Sequence, residues 1–312
     1  MRSFAWFLAL ILLALAVMAG LTYPLWQWLQ PEFGFPFHRV ADRLGMVTLA
    51  VGFVLIARRL RLADRKSLGF GLPAAQFLKE AGIAFAIGVV LMGLIIAIML
   101  ALRLRLLRPG VALTLANFGR LAAVGLLRGL AVALIEETFL RGAMWTGIAR
   151  ESGAMTATVL TSLLYALTHF VSSYHVPPDQ ISWLSGLRML GGSFGAFARP
   201  LQLADAYLCL FAVGVVLATV RMHTGNIAAS LGLHAGWVWV ITFVRETSVA
   251  DLSNPLHGLL SQFDGVVGWL VCAWTVLVGL GLNWFYGARI SSRRAAAASA
   301  TPGAAAHRGS PD

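Results

Sequence analysis

Of the 312 residues, 59% are hydrophobic and only 12% charged, and the mean hydropathy is +0.79. Soluble domains carry about a quarter charged residues, so the composition excludes an ordinary soluble protein and indicates an all-α, polytopic membrane protein. The formal net charge of +11 does not make nucleic acid a partner, because the basic residues sit in connections between apolar runs, where the positive-inside rule puts them.

Eight apolar runs approach the length that spans a bilayer as a helix. The first, at 4–23, has the flanks of a signal peptide, but its apolar core exceeds the roughly 7 to 15 residues of such a segment and is read as an uncleaved helix. The second, at 44–57, is short and extends back into 41–43. The stretch RRLRLADRK, Arg58 to Lys66, follows it and is the densest basic segment. Placing it in the cytoplasm puts the N-terminus there and, after eight spans, the C-terminus also. RLRLLRP, Arg103 to Pro109, then falls on the outside and argues against that orientation.

The remaining runs lie at 82–102, 119–149, 155–171, 206–221, 226–244 and 265–286. Between the fifth and sixth, residues 172–205 form a connection long enough to be a lid or binding element, with Trp183 and Leu184 as alternative interfacial anchors. Cys209 and Cys272 fall inside spans with no metal or redox spacing and read as buried small hydrophobes. The Ala-rich segment after Ile290 lacks a packing pattern and is expected to be disordered. The chain thus divides into N-terminal helices with the basic loop (1–118), core helices (119–245), a C-terminal helix (246–287) and a tail (288–312).

Within the fourth run, LIEETFLRG, Leu134 to Gly142, places three ionisable groups where a charge costs roughly 2.5 to 3.5 kcal/mol on insertion scales. On a helix Glu137 and Arg141 are four apart and pair in the favourable order. Glu136 lies about 100° round the helix and needs another partner. Glu136 and His169 are equally far from the Glu151–Gly153 turn, so an antiparallel hairpin sets them at one depth. Thr158, Ser162, Tyr165 and His169 form a polar stripe that faces protein or water. Asn226, Ser230 and His234 share a helix face, while Ala228, Gly232 and Gly236 make a small-residue face suited to close packing, and His234 reaches a similar depth. A lone intramembrane histidine is as often a hydrogen-bonding residue as a functional one, and Arg128 and Arg188 read as interfacial or structural. One glutamate and two histidines at matched depth point to function.

Such a set activates water with the carboxylate as base, one histidine assisting and the other donating to a developing oxyanion. The same three groups match a His2Glu catalytic zinc site, and the sequence does not separate the two chemistries.

The order EETFLR, YALTH and GLHAGW resembles the CPBP family of intramembrane endopeptidases, which includes the CAAX prenyl endopeptidases and the bacterial Abi-type proteins. The resemblance covers about 119–244 and extends to an LGFGL segment after the basic loop. It implies an eight-helix fold with Glu136 as water-activating base, His169 assisting, His234 as oxyanion donor, Glu137 with Arg141 as structural support, and Tyr165 where the family commonly has Phe. It implies no required cofactor, with zinc on Glu136, His169 and His234 as the alternative, and a membrane protein or peptide, lipidated or otherwise membrane-associated, as substrate within a lipid bilayer. Many members carry Asn four residues after the third-motif histidine. Val238 stands there in this chain, and Ser230 or Asn226 is a candidate replacement donor, although Asn226 also fits a helix N-cap.

Two rival readings stand beside the peptidase: a catalytically silent scaffold or immunity protein of the same fold, and a proton-coupled transporter using the same three residues as a relay. Only Lys66 and Lys79 among the 24 basic residues are lysines, a bias associated with GC-rich bacterial genes, which points to a bacterial cytoplasmic membrane.

Overall fold

The computed structural model describes residues 1–111, 114–171 and 174–299, the last eleven as backbone only. Its elements are α1 (Arg2–Phe33), α2 (Phe37–Arg59), α3 (Ala74–Ala101), β1 (Arg105–Leu107), α4 (Leu115–Glu136), a π-helical segment (Glu137–Met144), α5 (Trp145–Thr168), α6 (Ser185–Ser193), α7 (Ala204–Thr224), α8 (Ala228–Thr247), β2 (Ser248–Ala250) and α9 (Trp269–Ser299). Among the described residues the two three-residue strands are the whole sheet content, paired antiparallel with Arg105 opposite Ala250. The fold is all-α.

Local chemistry sets the helix ends. Gly34, at φ 59°, closes α1 by donating its N–H to Gln30 O, as a left-handed C-terminal residue does. Thr114 opens α4 by accepting from the Asn117 N–H at 3.3 Å, the N-cap role of a short hydroxyl. Gly225, at φ 70°, ends α7 in the same way as Gly34 ends α1.

Six helices are long and apolar enough to cross a membrane, against eight expected spans. The difference has two sources. Leu115–Thr168 is hydrogen-bonded as one 54-residue helix, yet Gly153 (φ 84°, ψ 161°) breaks it and the chain folds back, so that Trp145 Nε1 donates to Thr158 Oγ1 at 3.2 Å. One helical stretch therefore supplies the fourth and fifth runs. The other source is α8, whose glycines, tryptophans and His234 dilute its apolar content.

That helix is the centre of the molecule, with residues 228–237 all buried. It wedges between α3 and α4 along its small-residue face. A Cβ on Gly88 of α3 would stand 2.7 Å from Leu233 O, one on Gly236 2.6 Å from Phe85 O, and one on Gly129 of α4 2.6 Å from Ala235 O. Backbones meet there with no room for a methyl group, the close approach that small residues permit.

The α1 helix turns Ser3, Phe7, Leu10, Ala14 and Thr22 into the protein, as an integral helix does. Cys209 is buried and Cys272 half-buried, both as free thiols. The long connection is not irregular: it contains α6, which packs Gly186 against Ala19 O, and its Trp183 ring lies 4.8 Å from that of Tyr23. The α9 helix runs to Ser299 and takes in the start of the segment expected to be disordered. Residues 300–312 lie outside the described part.

Arg105 accounts for one charge in the RLRLLRP connection. It is buried, and its guanidinium donates to Ser248 Oγ at 2.9 Å and to the carbonyls of Ser248 and Gly265. Arg108 donates to Arg245 O at 2.7 Å. These two arginines fasten β1 to the end of α8.

Candidate active site

Residues 137–144 form a π-helix, where the apolar pattern predicts a regular α-helix. Such insertions recur at functional sites. Two contacts hold this one. Gly142 sits against Leu68 O, where a Cβ would approach to 2.5 Å, and Arg221 of α7 donates its Nε–H to Arg141 O at 3.1 Å.

Glu137 is fully buried. Its Oε1 lies 3.1 Å from Nη1 of Arg141 and 3.0 Å from Nδ1 of His234. The expected Glu137–Arg141 pair is therefore present, and the same oxygen also holds the histidine. Arg141 spends a second nitrogen on Gly214 O at 3.3 Å and lays its guanidinium 4.6 Å from the Tyr165 ring centre. Gly214 allows that reach by letting α7 approach Ser162 of α5, where a Cβ would stand 2.8 Å from the serine side chain.

Glu136, one residue earlier, points elsewhere. Its side chain is 31% exposed, and its buried Oε2 lies 3.9 Å from Nε2 of His234 with no hydrogen-bond partner. The two nitrogens of His234 thus face the two adjacent glutamates. A carboxylate on Nδ1 sets the imidazole tautomer and aims Nε2.

His169 ends α5 with Nδ1 2.7 Å from Tyr165 O. A carbonyl only accepts, so Nδ1 carries the proton and Nε2 is the free nitrogen. The Tyr165 ring is 4.5 Å from His169 and 6.0 Å from His234, centre to centre. Both histidines line one cavity of about 280 Å³, with Val238 and Thr242 in its wall. The structure therefore gathers His169, His234 and Tyr165 at one cavity, and seats Glu136 against His234.

The candidate accessory residues lie apart from that cavity. Asn226 accepts from the Ala228 N–H at 2.8 Å and donates to Thr224 O at 3.1 Å, but the N-cap of α8 is Ile227, one residue on, which makes no side-chain cap bond. Ser230 is buried with its hydroxyl on Ile227 O at 3.2 Å. Among the described residues no group of three His, Cys, Asp or Glu side chains is arranged to hold a metal ion.

Residues 118–240 match the family model for the type II CAAX prenyl endopeptidases, Rce1-like. That stretch is similar to the Rce1-like domain of the CAAX protease family. No curated protein and no solved structure matches it. The matched stretch spans α4 to α8 and so contains Glu136, Glu137, Arg141, Tyr165, His169 and His234. The match supports a protease-like protein, and the long apolar helices support a multi-pass membrane protein.

Two supports of the matched region lie outside its three motifs. Arg221 ends the sixth run and reads there as a boundary charge, yet it is 5% exposed, bonds Arg141 O and Thr146 Oγ1, and stacks over Trp145 at 5.1 Å. The LGFGL segment lies outside the matched residues. Its Leu68 carbonyl abuts Gly142, and its Gly69, at φ 87°, accepts from the Ile227 N–H at 3.0 Å. One short turn thereby fixes the π-helix relative to the start of α8. The signal for it was the LGFGL resemblance after the basic loop.

Proposed function

We propose that the protein is an intramembrane endopeptidase that cuts membrane-associated or lipidated protein or peptide substrates in the cavity beside His169 and His234. The carrying observation is His234 held at Nδ1 by Glu137 while Nε2 faces Glu136. Glu136 takes a proton from a water molecule, which attacks the scissile carbonyl carbon. The resulting oxyanion accepts a hydrogen bond from Nε2–H of His234, whose Nδ1–H donates to Glu137. The proton on Glu136 passes, with the free Nε2 of His169 as relay, to the amide nitrogen. The C–N bond then breaks, giving a carboxylic acid and an amine with one water consumed.

Glu137 and Arg141 hold the oxyanion donor in this scheme rather than reacting. Their burial supports that: neither side chain is accessible, whereas Glu136 is part-exposed. The test compares wild type with Glu136→Gln, both folded in detergent, on a membrane-peptide library with and without a strong zinc chelator. Loss of cleavage in the variant, with chelator harmless, is the expected outcome. Equal cleavage by the variant removes Glu136 from the mechanism, and loss on chelation of the wild type replaces it with a metal route.

Val238 favours a second reading. An apolar side chain in the cavity wall, where the family often has an amide donor, suits a catalytically silent scaffold of the same fold. Folded wild type that cuts nothing in the library supports it.

A further inference from the structure

Away from the cavity beside the histidines, the first helical hairpin carries a groove of about 450 Å³. α1 and α2 pack closely deeper in the hairpin, where Gly45 meets Met18 and Gly52 meets Leu10. The groove lies nearer the turn between them. Leu25 and Leu29 line it from α1, Phe35 from the turn, and Leu44 and Val47 from α2, while its polar lining side chains are Arg39 and Arg43. These two stand four apart on α2, so they share one helix face about 6 Å apart along the axis.

Neither guanidinium is spent inside the protein. Both residues are exposed, and Arg43 reaches only Met46 Sδ, at 3.9 Å. The acids at this end, Glu32 and Asp42, are exposed too, and among the described residues neither arginine forms an ion pair. The Met18–Gly45 and Leu10–Gly52 contacts fix the antiparallel register of the hairpin, which sets Arg39 level with Tyr23 and Pro24. That level is the lipid headgroup layer. The 32 residues of α1 rise about 48 Å, against about 30 Å of hydrocarbon, so its ends pass into the headgroups. Tyr23, Trp26 and Trp28 cluster at this end, with Trp26 donating to Phe35 O at 2.9 Å and Trp28 74% exposed, and Trp and Tyr gather at that interface. From Arg39 the apolar lining continues to Val47, about 12 Å further into the bilayer.

We propose that this groove binds a phospholipid with an anionic headgroup, its phosphate on Arg39 and Arg43 and one acyl chain along Leu44 and Val47. An apolar groove at a lipid-facing surface takes any acyl chain; two free arginines at its rim select by charge. The guanidinium fork matches phosphate oxygens, and a bound phosphate offsets the cost of holding Arg43 one turn below Arg39 in the membrane. The groove shares no lining residue with the cavity of His169 and His234, so the inference does not rest on the peptidase reading.

The test is lipid binding by the full chain in detergent, read by native mass spectrometry as apparent Kd for dioleoyl phosphatidylglycerol and dioleoyl phosphatidylcholine. Two arginines at the headgroup predict about thirtyfold tighter binding of the anionic lipid at low salt. Arg39→Gln with Arg43→Gln should bring the two lipids close to parity, whereas Arg39→Lys with Arg43→Lys should keep most of the preference. Val47→Trp, which fills the groove with both charges in place, should weaken both lipids. Glycerol 3-phosphate, a phosphate without chains, should not displace the anionic lipid at equal concentration. All three variants change exposed side chains and are compared as monodisperse protein. Parity of the two lipids on the wild type, or no binding of either, overturns the proposal, as does a preference that survives the glutamine pair. Unchanged binding in Val47→Trp, or displacement by glycerol 3-phosphate, overturns the seating of an acyl chain in the groove.

Discussion

Nδ1 of His234 lies 3.0 Å from Oε1 of Glu137, the same oxygen that Arg141 holds at 3.1 Å. The second glutamate is thus a shared anchor for a structural cation and for the histidine that faces the first glutamate. Helical spacing assigns it to Arg141 alone, because spacing describes one helix and His234 arrives from another, 97 residues on.

Removing that anchor should damage fold and site together. Glu137→Ala leaves Arg141 buried beside an empty position, and breaking a buried pair from one side costs about 3 to 5 kcal/mol. The thermal midpoint in detergent should therefore fall far more for Glu137→Ala than for Glu136→Gln, whose side chain is part-exposed. Equal midpoints for the two variants would show that the pair bears no structural load.

Arg221 offers a separate handle on the π-helix. Arg221→Lys keeps the charge but loses the planar fork that reaches Arg141 O and Thr146 Oγ1 together. Since Arg141 is placed by that contact, cleavage should fall while membrane insertion stays intact. Wild-type cleavage rates in the lysine variant would sever Arg221 from the site.

Much of this was legible in the residues and some was not. The Glu137–Arg141 pair, the burial of Thr158, Ser162 and Tyr165 and the small face of α8 all follow from periodicity within one helix. The residues read as eight spans and the structure shows six long apolar helices, because Gly153 turns a single hydrogen-bonded stretch back on itself and α8 is central without being strongly apolar. The π-helix was not legible: its Gly142 lies against the Leu68 carbonyl of a turn distant in sequence. The partner of Glu136 was placed on His169 by hairpin symmetry. Depth along a helix fixes height only, and the azimuth of a third helix sets His234 beside it.

Close packing around α8 makes a stability prediction independent of mechanism. Gly129→Ala and Gly88→Ala each force a methyl group against a carbonyl at under 3 Å. Overpacking of this kind costs about 1 to 3 kcal/mol, read as a lowered midpoint in each variant. Gly119→Ala, with open space around it, serves as the neutral control.

Residues 183–189 give a test of gating. Trp183 contacts Tyr23, and Met189 packs with Phe37 and Ala41 at the α1–α2 end of the bundle. If this segment screens what reaches the cavity, deleting 183–189 should widen the range of peptides cut while sparing Glu136-dependent turnover. An unchanged cleavage profile would reduce α6 to an interfacial anchor.

Val238 decides between a working and a silent site. It lines the cavity four residues beyond His234, one helical turn nearer β2, so an amide there would point into the space where an oxyanion forms. A single oxyanion donor is worth about 10²–10³ in kcat. Val238→Asn should raise cleavage towards that extent if the wild type works with His234 as its only donor. If the wild type is silent and Val238→Asn restores cleavage that Glu136→Gln again abolishes, the fold is a peptidase switched off at one position. If the asparagine changes nothing in a folded protein with measurable activity, the oxyanion is already served, and the added donor finds no charge to meet.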